Sequence, residues 1–246
     1  MNQTESSDRV ALVTGAARRI GAAIVRELHA AGWQVVIHCR SSRDEADALA
    51  SELNELRAGS AKVVTADLLN TDSLPGLVAA TLGHFGRLDL LVNNASSFYP
   101  TPVGKITESD WQDLLGSNLK APVFLVQAAR EALRDASGSI VNIIDMNIDR
   151  PIADHPVYLA AKGGLATLTR ALARDLAPAI RVNGVSPGAI LWPESGLDAQ
   201  AQQAIVDATP LARTGAPEDI ARAVRFFAEN AFVTGQVLAV DGGRGL

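Results

Sequence analysis

The 246-residue chain has one cysteine, Cys39, and only 4% aromatic residues. A single cysteine excludes an internal disulfide framework, and a reducing cytoplasm is the simple inference. With few aromatics, Ala, Val, Leu and Ile must build the core, and a hydrophobic content of 48% is enough for a sizeable one. No apolar run approaches the ~20 residues that cross a bilayer. The opening stretch, MNQTESSDR, has no apolar segment of the secretory kind. No basic block stands out and the net charge is -5, so the field of the whole chain gives no reason to expect nucleic acid.

What is present is alternation. Short β-branched runs fall at 9–14, 33–39, 61–67, 88–95, 139–144, 180–185 and 236–240, and helical patterns of ten or more residues separate several of them. Strands alternating with helices predict a parallel sheet covered on both faces. The strands read as continuous apolar runs, as burial on both faces requires. There is no Pro/Gly-rich linker and no internal repeat, so 1–246 reads as one α/β domain: a Rossmann-like, doubly wound fold with a mostly parallel seven-stranded sheet. Residues 189–215 (AILWPESGLDAQAQQAIVDATPLARTG) interrupt the rhythm. They predict a short helical lid or substrate loop, although the Ala/Gln stretch also reads as a plain exposed helix.

Thr14-Gly15 follows the first strand directly, and Gly21 comes six residues later. Gly15 suits a tight turn and Gly21 suits close helix–sheet packing. The following helix would turn free N–H groups toward phosphate. Arg19 stands where a glycine is common, so the motif alone is weak. The second strand ends in H-C-R-S, His38 to Ser41, with no carboxylate before Asp44. An NAD site places an acid there for the ribose 2′-hydroxyl. Arg40 and Ser41, with Arg18 from the first turn, instead suit the 2′-phosphate of NADPH. Asp67, beside Leu68, either accepts from an adenine amino group or caps the next helix. Asn93-Asn94-Ala95 ends the fourth strand, and its short side chains would bring backbone close to a flat ligand or simply close a turn.

Tyr158 and Lys162 are four apart and share a helical face. A nearby ammonium would lower the phenol pKa, making Tyr158 a plausible general acid. Asp145 follows the strand SIVNII, 13 residues before the tyrosine. It offers two acceptors when ionised and a donor when protonated, which suits a nitrogen-rich substrate. The plainer reading is a turn aspartate capping nearby backbone.

These motifs resemble the short-chain dehydrogenase/reductase family over nearly the whole chain: TGAARRIG from Thr14, NNA at Asn93, Asn118 in N-L-K-A-P, Tyr158-x-x-x-Lys162, R-V-N-G-V-S-P-G and the terminal D-G-G. More narrowly they resemble pteridine reductases, through Arg19, H-C-R-S, S-S-F-Y-P-T-P from Ser96, and Asp145 where most of the family has serine. The resemblance implies NADPH-dependent reduction of a pterin. Asp145, Tyr158, Lys162 and Asn118 would be catalytic, with Asn118 holding a helix break and a water of the proton relay. The cofactor would be held by Gly15, Arg18, Arg19, Ile20, Arg40, Ser41, Asp67, Leu68, Asn94, Ala95, Ser96, Lys162 and Pro187. Arg19, Ser96, Phe98, Asp145 and Tyr158 would hold the substrate. Phe98 would stack the pterin against the nicotinamide, with Arg19 approaching that ring and a cofactor phosphate. No metal is called for, and a homotetramer is implied. A general carbonyl reductase acting on 3-oxoacyl thioesters or sugars remains the enzymatic alternative, and a weakly active NADPH-binding protein the other. The run I-D-R-P-I-A-D-H-P, from Ile148 to Pro156, either shapes selectivity or forms a plain surface loop.

Overall fold

In β1 (Val10–Val13) successive side chains enter two different cores. Ala11 and Val13 join the cluster on one face of the sheet, and Leu12 joins the cluster on the other. The same alternation holds in β2 (Gln34–Cys39) and β4 (Leu90–Asn93), where Val36 and Leu91 face away from Val35, Ile37, Leu90 and Val92. A period of two with both faces apolar is the signature of a strand covered above and below. The molecule is a computed structural model that describes residues 9–192 and 196–246. The stretch through residue 8 and residues 193–195 of the 189–215 excursion lie outside the described residues.

The remaining strands are β3 (Ala61–Thr65), β5 (Ser139–Ile143), β6 (Arg181–Pro187) and β7 (Val237–Val240). They form one seven-stranded sheet in the order β3-β2-β1-β4-β5-β6-β7, and every neighbouring pair is parallel. The sheet is thus fully parallel among the described residues. β6 runs two residues past its expected end because β7 pairs alongside, Ser186 with Ala239 and Pro187 with Val240.

Helices α1 (Arg19–Ala30), α2 (Arg43–Leu56) and α8 (Pro217–Glu229) cover one face. Helices α3 (Leu74–Phe85) and α5 (Ala121–Asp135) cover the other. Helix α4 (Glu108–Leu115) is started by a capping box at Thr107 and Asp110. Helix α6 (Pro156–Asp175) begins with a proline, whose missing N–H costs nothing in the first turn. The 189–215 excursion contains α7 (Ala199–Asp207), capped by the Asp198 side chain and with no buried residue. Its base is closed by Gly215 N–H donating to Ala189 O at 2.9 Å.

The chain winds outward from β1 in both directions. Its switch point therefore lies where the C-terminal ends of β1 and β4 part, the usual place for a ligand crevice in such sheets.

Candidate active site

At that switch point the turn after β1 is tied to the end of β4. Asn94 N–H and Ala95 N–H donate to Thr14 Oγ1 at 2.9 and 3.0 Å. Asn94 Nδ2 donates to the carbonyls of Thr14 and Gly15 at 2.8 and 3.0 Å. Gly15 has φ +59°, and a Cβ there would sit 2.8 Å from Ala95 Cα. Only glycine satisfies both the left-handed backbone and that approach.

His38 is a participant that the sequence reading quoted without a role. It is buried at the end of β2, where Gly15 N–H donates to Nδ1 at 3.2 Å and Nε2 lies 3.1 Å from Ala66 O. An acceptor at Nδ1 leaves the proton on Nε2, so the ring is the neutral tautomer. Burial pushes its pKa down from 6.5 to about 4, against the Ala66 hydrogen bond and the Asp67 charge. A buried polar residue at a strand end was the only signal for this role.

A cleft of about 390 Å³ opens beside these turns. Gly15, Arg18, Arg19 and Ile20 line it from the first turn, Arg40 and Ser41 from the end of β2, Asp67 and Leu68 from the end of β3, and Asn94, Ala95 and Ser96 from the end of β4. Ser42, Leu69, Ser97 and Ser117 line it as well. Lys162 and Pro187 do not line this cleft; Pro187 ends β6 and Lys162 lies within α6. Helix α1 starts with no side-chain cap and no acidic residue in its first turn. Its first N–H groups thus offer an anion site. Arg40 is exposed and makes no hydrogen bond or ion pair among the described residues. Asp67 Oδ1 accepts from Leu69 N–H at 3.0 Å in a local turn, whereas the cap of the next helix is Asn70, whose side chain accepts from Asp72 N–H at 3.2 Å. These features fit a dinucleotide whose phosphates meet α1 and Arg40.

Arg19 has φ +54°, a conformation a glycine would adopt more easily. Its guanidinium donates to Trp192 O at 3.0 Å and Leu191 O at 3.4 Å. These bonds bridge the first turn to the start of the excursion.

The reacting groups gather beyond β5. Tyr158 Oη donates to Asp145 Oδ2 at 2.7 Å. Asp145 Oδ1 accepts from Asn147 N–H and Asn147 Nδ2, both at 2.8 Å. Asp145 thus caps a short turn and grips the phenol at once. Tyr158 is buried, and burial first, then the Asp145 charge and hydrogen bond, raise its pKa well above 10, with Ser96 opposing. Lys162 Nζ is buried and donates to Ile143 O at 2.8 Å. Burial lowers its pKa to about 8, against the pull of Asp145. The expected lowering of the phenol pKa by Lys162 is thus reversed: the ammonium is spent on a strand-end carbonyl, while a carboxylate touches the phenol. The phenol is held protonated, as a donor must be.

Asn118 lies in a π-helical turn (Gly116–Lys120) between α4 and α5. Its Nδ2 donates to Leu114 O at 3.0 Å and Ser97 O at 2.9 Å, and its Oδ1 accepts from Ser96 Oγ at 2.7 Å. The expected helix break is this widened turn, a feature common at functional sites. Phe98, 46% exposed, meets Tyr158 edge-on with ring centroids 4.9 Å apart.

A family model described as enoyl-(acyl carrier protein) reductase matches residues 15–244. The chain belongs to the short-chain dehydrogenase/reductase family. Among its relatives, pteridine reductase 1 of Leishmania tarentolae is 39% identical across 99% of this chain and 98% of that protein. A crystal structure of FolM alternative dihydrofolate reductase 1 from Brucella canis, complexed with NADP, superposes with a TM-score of 0.91 at 40% identity, covering 98% of this chain and 95% of that one. A 3-oxoacyl-[acyl-carrier-protein] reductase of Synechocystis sp. is 36% identical over 98% of both chains.

Proposed function

We propose that the chain is an NADPH-dependent pterin reductase, taking a dihydropterin to its tetrahydro form, with dihydrofolate and oxidised pterins as further substrates to test. The observation that carries this reading is the 2.7 Å hydrogen bond from Tyr158 to Asp145. A simple ketone needs only a hydroxyl neighbour at that place; a carboxylate adds a second acceptor for a ring rich in N–H groups. NADPH, when bound, supplies the hydride that goes to the carbon of a ring C=N bond.

The chain's own groups bind, orient and move the proton. The uncapped start of α1 and the Gly15 turn receive the pyrophosphate, and Arg18 joins the 2′-phosphate group of residues. Arg40 and Ser41 receive the 2′-phosphate, and Asp67 and Leu68 flank the adenine. Asn94, Ala95 and Ser96 form the floor leading to Tyr158. Lys162 holds the nicotinamide ribose, and Pro187 borders the nicotinamide end. Tyr158 gives its proton, directly or through water, to the nitrogen beside the reduced carbon, and Asn118 holds that water. The 189–215 excursion, tethered to Arg19, serves as the lid.

A homotetramer is part of the same reading. Its support is the edge strand β7, where Leu238 is exposed, with Phe232 and Leu246 exposed beyond it. Among the described residues no helix is long and apolar enough to cross a membrane.

The experiment compares NADPH-dependent turnover of a dihydropterin, dihydrofolate and a 3-oxoacyl thioester, with Phe98→Ala alongside. The expected result is the highest kcat/KM for a dihydropterin, and a weaker pterin affinity in Phe98→Ala with NADPH affinity unchanged. A higher kcat/KM for the thioester would return the carbonyl reductase reading to first place.

A further inference from the structure

The run from Ile148 to Pro156 belongs to none of the roles above, yet it touches the substrate end twice. His155 stacks on Phe98 with ring centroids 4.7 Å apart and planes 13° apart. Thr101 N–H donates to Asp154 O at 2.5 Å. Asp154 takes φ +61°, a left-handed backbone uncommon for a residue with a side chain. Such a conformation persists only where surrounding contacts fix it, and it tends to cluster at sites. His155 is in turn held by Nδ1, 2.6 Å from Ala153 O, and it directly precedes α6, three residues before Tyr158.

The segment it grips needs holding. Between β4 and α4, residues 94–107 contain no helix or strand. Phe98 is 46% exposed there, so its own burial does not fix its ring. One ring face is covered by His155, and the ring meets Tyr158 edge-on.

The geometry points to His155 as a positioning residue for substrate selection: with the Asp154 carbonyl it clamps the 96–102 loop so that Phe98 stands as a fixed wall beside Tyr158, selecting flat bicyclic substrates over flexible acyl ones. The selection of a pterin rests on the function proposed above; the clamp itself does not. Because the imidazole touches Phe98 and not the phenol oxygen or the proton path, its loss is read in KM and leaves kcat in place.

The test uses the full-length protein saturated with NADPH and compares wild type, His155→Ala and His155→Phe. Aromatic pairing of this kind corresponds to about 2- to 12-fold in an equilibrium constant. His155→Ala is therefore expected to raise the dihydropterin KM by about that factor, with kcat and NADPH affinity within about twofold of wild type. His155→Phe keeps a ring on Phe98 and restores KM. Amide hydrogen exchange over residues 96–102 quickens in His155→Ala and returns in His155→Phe. An unchanged KM overturns the inference. So does a lowered KM, which would mean that the imidazole stands in the substrate's own place. A phenylalanine variant that fails to restore KM overturns it too, since the contact with Ala153 O would then matter instead of the stack. Exchange is measured without substrate. A protein inactive on pterins whose loop loosens in His155→Ala would thus sink the proposed function and keep the clamp, whereas unchanged exchange would sink the clamp alone.

Discussion

Replacing Asp145 with asparagine keeps the shape of the side chain and removes the charge that Tyr158 faces. In the wild type three influences hold the phenol protonated: burial, the Asp145 charge, and its 2.7 Å hydrogen bond. Burial survives the substitution and the other two weaken. A hydrogen bond to a charged group contributes about 1.5–3 kcal/mol, and one pKa unit is about 1.4 kcal/mol. The Tyr158 pKa should therefore fall. The chain makes this measurable, because it has only two tyrosines. The other, Tyr99, is pushed up to about 12 by burial and by Asp113. In a Tyr99→Phe background one phenol remains, and its ionisation is followed by near-ultraviolet absorbance as pH rises. Without the Asp145 change no phenolate step is expected before alkaline unfolding; with it, a step should appear at lower pH. Kinetics supply the second readout. Asp145→Ser leaves a hydroxyl neighbour fit for a ketone, so dihydropterin kcat/KM should fall by about 10- to 150-fold, and reduction of a simple ketone by less. If asparagine leaves the phenol titration where it was, the carboxylate is not what holds the proton on Tyr158. If serine reduces dihydropterin at the wild-type rate, Asp145 does not set the substrate.

Three further outcomes are expected. Tyr158→Phe keeps the buried ring and removes the donor, so NADPH titration should be unchanged while turnover drops by about 10²–10⁴-fold; a variant with near-normal turnover would place the acid elsewhere. Arg40→Ala removes a charge-assisted phosphate contact and should weaken NADPH by about 10- to 150-fold and NADH far less; equal losses would remove Arg40 from the 2′-phosphate. His38 is held neutral with its pKa lowered from 6.5 to about 4. Its contribution to stability is present above pH 6.5 and is lost as pH falls through about 4. Denaturant titrations of wild type should lose up to about 3 kcal/mol across that window, and His38→Gln should lack this part of the acid limb; identical limbs would show that His38 does not govern it.

The architecture was legible in the chain because a strand covered on both faces must be apolar throughout, and because Gly15 and Gly21 leave few choices for the turn between β1 and α1. The order of strands placed the ends of β1, β2, β3 and β4 together, and eleven of the residues named for the cofactor line one cleft there. Asp145, Tyr158 and Lys162 were likewise identifiable from position and residue type. Their electrostatics were not. Spacing on a helix predicts that Lys162 neighbours Tyr158; it does not reveal that Lys162 donates to Ile143 O or that the phenol donates to Asp145. Nor does sequence tell where a long side chain ends: Arg19 donates to the carbonyls of Leu191 and Trp192. His38 and His155 stand in the runs H-C-R-S and I-D-R-P-I-A-D-H-P, neither of which assigned them a role. Their partners, Gly15 and Ala66 for one and Phe98 for the other, lie on other elements. Hydrophobic periodicity and backbone sterics act along the chain and can be read there. Hydrogen-bond partners, desolvation and ring stacking depend on atoms brought together only by the completed sheet and its loops, and so the tertiary structure alone decided them.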